Sequence, residues 1–437
     1  MNTVEVGREA AACVTREAMS ATAAEIARDE KDKERAFLMP SGADSFYRRL
    51  RLVEDAQKSI DFMVYDSYEE EYTTIFYTAL LRAADRGVKV RVIVDGKMGV
   101  LNGSLSQIGA LLQNHNNIEF YYYNGVNLAD PAGLFVMMHD KVMLVDGSIA
   151  IVGGVNMGTS AFLYNFDMEV MITNSDAEGC AGAVKRYYDD MTVSSLARHI
   201  VSQNANYEVK TQYIDDFERF FAASGYDETK IDYSALGVPV NKITYLTNGA
   251  EGNKKQPIIY KALCNLGASS KKSTFVTPYT LLENDKKKDI IAIAAKNDEF
   301  RLVTNSLYNT RNVAFADYYY SRKSYLTGDI TIFEYQAENQ LHAKMYTFDD
   351  RFAVIGSFNL DERSCHIDTE SVVVIDSEEF TAIVNEYIDE TFVKNSLQVG
   401  ANNEYMPSDT VSAHEVPQNK RILYGLYRAL GIVRCLI

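Results

Sequence analysis

One short pattern occurs twice in this chain, and the repeat constrains the fold more than any other feature. His139-Asp140-Lys141 is followed by Asp146 and then by Gly153-Gly154-Val155-Asn156. His342-Ala343-Lys344 is followed by Asp349 and then by Gly356-Ser357-Phe358-Asn359. Each copy reads H-x-K-x4-D with G-[GS]-x-N at the same offset, and the copies stand 203 residues apart. In a chain of 437 residues with six histidines, two such copies mark a duplication. A period near 200 residues is a duplicated domain and not a solenoid.

The order of elements around the copies repeats as well. In the first half a helix-like segment, SFYRRLRLVEDAQ, precedes the strand SIDFMVYDSY. The helix TTIFYTALLRAADRG follows and closes at a Gly, as helices often do. Strands VKVRVIVD and IEFYYYN lead into the first motif. In the second half KITYLTN, the helix PIIYKALCNLG, the strand STFVTPYT and the helix KKKDIIAIAAKN precede strands FRLVTNS and DITIFEYQ. Helices alternating with apolar strands predict an α/β fold with a mixed sheet in each half. The expectation is two α/β/α halves about a pseudo-twofold axis, with one active site at the seam. The bounds read from the sequence are a helical lead-in over 1–36, halves over 37–195 and 241–395, a connecting segment over 196–240 that adds helix, and a tail over 396–437. Residues 5–36 are rich in Ala, Glu and Arg and read as an exposed helix.

The residue types suit chemistry at a phosphodiester. Such an anion resists attack, so a site must neutralise charge and supply a nucleophile and a proton donor. Imidazole does both near neutral pH. One His can attack phosphorus while the other protonates the leaving alcohol and deprotonates the incoming one. Lys141 and Lys344 can hold the non-bridging oxygens as point charges, and Asn156 and Asn359 can add hydrogen bonds. The runs VMMHDKVMLVD and LHAKMYTFDD read as strands, on which His and Lys at i and i+2 share a face.

A carboxylate follows each His by 28 residues: Asp167 after His139, and Glu370 after His342. Such an acid on the second ring nitrogen would fix the tautomer and stabilise imidazolium. Glu169 competes with Asp167 in the first half. Asp146 and Asp349 near strand ends read as supporting, turn-orienting residues, with Gly154 and Ser357 as neighbours of the site. His366 has no counterpart in the first half, and His115, His199 and His414 have no motif around them. The paired His residues do not make a metal site: ligation needs three or four ligands, and adjacent Lys would repel a cation.

The double motif resembles the H-K-D signature of the phospholipase D superfamily. Within it the chain most resembles bacterial cardiolipin synthases over roughly residues 37–395, through LHAKMYTFDDRFAVIGSFNLDERSCHIDTESVVVI, ALLRAADRGVKVRVIVDG and the Leu302–Ser306 turn. That resemblance implies transfer of a phosphatidyl group to an alcohol of a second lipid through a phospho-His intermediate, with no cofactor. It also implies His139 as nucleophile and His342 as general acid and base. Phosphatidylglycerol or phosphatidylethanolamine would be the substrates. A phospholipase D hydrolase, a phosphatidylserine synthase and a nuclease of the same fold share these residues.

Charge and composition narrow the partners. The net charge is −16, whereas nucleic-acid binders carry a basic face, so the balance disfavours nucleic acid. No run of about 18 apolar residues is present, so no transmembrane helix is expected, and the polar start reads as no signal peptide. The five cysteines have no CxxC spacing and suit a reducing compartment. After Glu415 the chain has no acidic side chain, but it has Lys420, Arg421, Arg428 and Arg434. Leu423, Leu426, Tyr427, Leu430, Val433 and Ile437 recur there at helical spacing. A basic amphipathic helix of this kind suits contact with a membrane surface, peripheral on the cytoplasmic face.

Overall fold

The computed structural model describes residues 33–99, 106–126, 133–201, 211–223, 231–252 and 254–429. Two sheets organise them. The first has nine strands in the spatial order Val238–Pro239, Arg35–Met39, Glu169–Thr173, Ile149–Gly153, Lys141–Val145, Ser59–Val64, Lys89–Asp95, Ile118–Tyr123 and Ala197–Ile200. The second has eight: Lys242–Thr247, Ser371–Asp376, Phe352–Gly356, Met345–Phe348, Lys272–Val276, Glu299–Asn305, Ile330–Tyr335 and Ser396–Val399. Apart from the additional edge strand Val238–Pro239, the two orders match strand for strand. In each, three neighbouring strands run parallel and the rest antiparallel. The fold is therefore the duplicated mixed α/β architecture expected from the motif spacing.

The elements form where local chemistry favours them. Ser41 caps the helix Gly42–Asp55 by accepting from the Asp44 N–H, and Phe46, Leu50 and Val53 on that helix are buried. The helix Glu71–Asp85 stops before Gly87, whose φ of +95° suits Gly alone. Helices Ile258–Ser269, Asn284–Ala294 and Phe315–Tyr325 cover the outer face of the second sheet. A shared apolar cluster joins the halves: Val142, Val152 and Val170 from the first pack with Met345, Ile355 and Val373 from the second.

Several bounds shift. The sheet edges recruit Ala197–Ile200 and Val238–Pro239 from the connecting segment and Ser396–Val399 from the tail. Edge strands need only backbone partners, which apolar periodicity does not report. The same segment also contributes the expected helix, Thr211–Ala223. Arg35 and Ala36, read as the end of an exposed helix, lie in a strand paired with Ile172 and Thr173; the rest of that helix, residues 5–32, lies outside the described residues. Among the described residues no helix is long and apolar enough to cross a membrane.

Candidate active site

The strands Lys141–Val145 and Met345–Phe348 are buried at the centres of their sheets. The histidines, expected on these strands, stand just ahead of them. The reason is visible in the hydrogen bonds. The His139 N–H donates to Thr369 O at 3.1 Å and the His342 N–H to Phe166 O at 2.8 Å, both across the seam. Gln340–Leu341 pairs with Asn165–Phe166, and Met138 bridges to Thr369 in the matching place. Each His segment thus leaves its own sheet to pair with the acid-bearing segment of the other half.

That exchange decides the carboxylate partners. Glu370 Oε1 lies 2.9 Å from His139 Nδ1, and Asp167 Oδ2 lies 2.5 Å from His342 Nδ1. The acids counted from each His in sequence serve the His of the opposite copy. Glu169 takes no part: it is buried against Arg49 and Ser45.

The lysines are buried beside the partly buried histidines. Lys344 Nζ lies 2.8 Å from His342 Nδ1 and 3.4 Å from Asp167 Oδ2. Lys141 Nζ donates to the His139 carbonyl at 2.6 Å and sits 4.9 Å above the Tyr65 ring. The i, i+2 geometry therefore brings Lys344 onto its imidazole, but turns Lys141 to the backbone of His139. Asn156 and Asn359 follow the strands next to the His-Lys strands, and the Oδ1 of each is buried without a hydrogen bond.

The two halves differ electrostatically. Burial, then the charges of Lys141, Lys344 and His342, hold His139 well below the usual imidazole range. His342 is also lowered, by burial and Lys344, but Asp167 opposes the shift. Burial pushes the Glu370 carboxyl well up, despite Lys141 and the hydroxyls of Ser357 and Ser364. Burial acts the same way on Asp167, yet Lys344 and His342 outweigh it and keep its carboxyl below the usual value. Burial, reinforced by Lys344, pushes the Lys141 ammonium down to about 7.

Gly154 and Ser357 occupy equivalent positions and explain part of this difference. A Cβ on Gly154 would come within 2.2 Å of Asp167 Oδ1, so the close approach of that carboxylate requires Gly. In the second half Ser357 instead donates its hydroxyl to Glu370. Asp146 and Asp349 are away from the histidines, at the far ends of the strands. Each has a φ of 51°. Asp146 accepts from the N–H groups of Gln57, Lys58 and Ser59, and Asp349 from those of Lys271 and Lys272. The motif aspartates brace the turn before the first strand of each parallel set.

Other residues at the site carry no duplicated signal. The Tyr65 ring meets His139 edge-on, with ring centroids 4.8 Å apart. Arg363 pairs with Asp368, whose carboxylate also accepts from the Met137 N–H at 3.1 Å. Tyr65 directly follows the strand Ser59–Val64, whose last residue pairs with Lys141, and Arg363 lies in the GSFNLDERS run; neither has a like residue in the other copy. His366 bonds the Lys255 carbonyl and stands apart from the two His–Lys pairs. Among the described residues no three His, Cys, Asp or Glu side chains are grouped as a metal ligand set.

The C-terminal helix, Gln418–Ala429, packs on the protein's own body. Lys420, read as a membrane contact, donates to the carbonyls of Tyr308 and Thr310 at 2.8 and 2.7 Å. Tyr424 is buried, and Arg428 stacks on Tyr320. The predicted apolar stripe is divided: Tyr427 packs inward beside Tyr424, which the stripe did not include, while Leu423 and Leu426 stay exposed. Arg421 and Arg428 are exposed; Arg434 and the rest of the stripe lie outside the described residues.

Comparison with known proteins places these observations. A family described as cardiolipin synthase, PLD-like domain, matches residues 50–191 and 263–392. An uncharacterized protein of Helicobacter pylori is 28% identical, over 82% of this chain and 79% of its own. Cardiolipin synthase C of Escherichia coli is 25% identical, over 80% and 83%. The crystal structure of phosphatidylserine synthase from Haemophilus influenzae superposes with a TM-score of 0.65 at 15% identity, covering 92% of this chain and 94% of its own.

Proposed function

The chain belongs to the cardiolipin synthase, PLD-like domain family and is a phosphatidyltransferase of phospholipase D type; from that premise we propose that it transfers a phosphatidyl group, through a phospho-histidine, to an alcohol of a second phospholipid. The observation that carries the proposal is the pair of imidazoles, each held at Nδ1 by a carboxylate of the other half, with the two carboxyls shifted in opposite directions by their surroundings.

The difference supports distinct roles. His139, strongly disfavoured as imidazolium, rests neutral and acts as nucleophile: its Nε2 lone pair attacks phosphorus while Nδ1–H donates to Glu370. His342 faces an ionised Asp167, which stabilises the extra proton. It gives that proton to the leaving alcohol as the P–O bond breaks. In the second step it takes the proton of the acceptor alcohol, whose oxygen attacks phosphorus as the P–N bond breaks, and His139 is restored. Lys141, Lys344, Asn156 and Asn359 hold the non-bridging oxygens. The substrates are phosphatidylglycerol or phosphatidylethanolamine, taken from a membrane surface on which the protein sits peripherally.

The test is incubation with phosphatidylglycerol, phosphatidylethanolamine and DNA separately, with products read by mass spectrometry. A lipid joined to a second phosphatidyl group, with release of the first head-group alcohol, is expected. A phosphoryl adduct should be trapped on His139 and be absent from His139→Ala. An adduct on His342 would reverse the roles, and cleavage of DNA alone would replace this reading with a nuclease.

A further inference from the structure

Several exposed apolar side chains lie on three segments that lead to the histidines. The parallel strands of both sheets end toward the histidines, since Val64 pairs with Lys141 and Val276 with Met345. Phe135, 51% exposed, precedes His139 by four residues, and its carbonyl accepts from Arg363. Leu163 and Tyr164, the latter 52% exposed, precede Asp167 in the segment that pairs beside His342. The C-terminal helix adds a third group. Lys420 ties it to the loop at Tyr308 and Thr310, which follows Asn305, and the Asn305 amide donates to Leu341 O immediately before His342. With Tyr424 turned inward, Ile422 and Leu426, 56% and 50% exposed, point outward on the opposite side of the helix.

Solvated apolar groups on three separate segments that lead to one site are costly unless something covers them. Charge indicates the cover. The whole chain carries −16, yet after Glu415 its charged side chains are all cations, and Arg421 and Arg428 stand exposed beside Ile422 and Leu426. Apolar side chains flanked by cations match an anionic lipid surface: the former enter the acyl boundary and the latter meet the head groups.

We infer that Phe135, Leu163, Tyr164, Ile422, Leu423 and Leu426 form a collar around the mouth of the seam that seats this end of the protein on an anionic bilayer. The inference rests on the lipid reading of the site and adds the orientation: the C-terminal helix is a fixed part of the collar, docked on the second half. The mouth then faces the membrane, so a phospholipid needs to rise only part of the way out of the leaflet for its phosphate to reach the two histidines.

The chain contains no Trp, so a single introduced indole reports depth without background. Phe135→Trp, Tyr164→Trp and Leu426→Trp are compared with Val201→Trp, an exposed site at the opposite end of the first sheet. The probe is vesicles of phosphatidylglycerol and phosphatidylcholine with brominated acyl chains. Emission from the three collar positions should shift to the blue and be quenched severalfold, while Trp at 201 stays unchanged. Ile422→Asp combined with Leu426→Asp should weaken vesicle binding at least tenfold and leave turnover of a soluble short-chain phosphodiester within twofold; both side chains are exposed, and a thermal melt checks folding. Quenching that is absent at the collar, equal at 201, or accompanied by unchanged binding of the Asp variant overturns the collar. Wild-type protein that turns over neither vesicle lipid nor the soluble diester overturns the lipid reading instead, and the depth readout does not depend on turnover.

Discussion

Glu370 holds the imidazole of His139 from the other copy of the repeat, Oε1 to Nδ1 at 2.9 Å, and Asp167 does the same for His342. Neither half therefore contains both an imidazole and the carboxylate that holds it. The seam supplies the Nδ1 partner in both cases, so both copies are needed to build either imidazole–carboxylate pair.

The two acids should respond differently to amide substitution. Asp167 is held ionised by Lys344 and His342, so Asp167→Asn removes the charge that stabilises imidazolium. A loss of about 10²–10⁴-fold in kcat is expected, the range of general acid–base catalysis. Glu370 is pushed toward its neutral form by burial, which Gln mimics. Glu370→Gln should cost at least tenfold less than Asp167→Asn. Steady-state kinetics on one lipid substrate compares them, and equal losses would remove the assignment of different roles.

Gly154 and Ser357 should not be exchangeable. Gly154→Ser puts a Cβ within 2.2 Å of Asp167 Oδ1 and must displace that carboxylate from His342. Ser357→Gly removes one donor to Glu370 and an acceptor for the Ser371 N–H, but Ser364 remains on Glu370. We expect kcat to fall at least tenfold more in the first variant than in the second, and the His342 Nδ1 proton resonance to move only in the first.

The motif aspartates should matter for folding before chemistry. Asp146→Ala strands three backbone N–H groups and Asp349→Ala two, at turns with left-handed backbone. Each loss should destabilise by about 1–3 kcal/mol in urea unfolding. Well below the melting temperature, kcat should stay within a few-fold of wild type. A large fall in kcat with unchanged stability would show that these carboxylates reach the reaction.

Lys141 should give stability a pH slope. Its ammonium titrates at about 7 when folded, against an ordinary value of 10.5. Between those values the unfolded chain holds the proton and the folded chain has released it, so stability rises with pH across the window. Below about 7 both states are protonated, and the full penalty of the buried charge is present. Lys141→Met should flatten the rise between pH 7 and 10 in urea titrations. A wild-type curve already flat there would contradict the buried-charge account.

Much of the site is legible in the sequence because a duplicated motif supplies its own control. His139 and His342, their lysines and the 28-residue acids repeat, and repetition separates them from incidental residues such as His366. Tyr65 and Arg363 escape that control, since neither has a counterpart in the other half. The strands at the sheet edges escape it too: Ala197–Ile200 and Ser396–Val399 are set by hydrogen bonds to a neighbour, with little apolar alternation to announce them.

The chain's order of apolar and polar residues determined two α/β halves and the residue types of the chemistry, because burial periodicity and motif spacing are local properties. Which acid serves which imidazole, where Lys141 points, and which face of the C-terminal helix turns inward were decided only by tertiary structure. Those relations join residues as far apart as His139 and Glu370, or Lys420 and Tyr308. They depend on how the two sheets meet at the seam, and no spacing within one copy encodes the partner from the other.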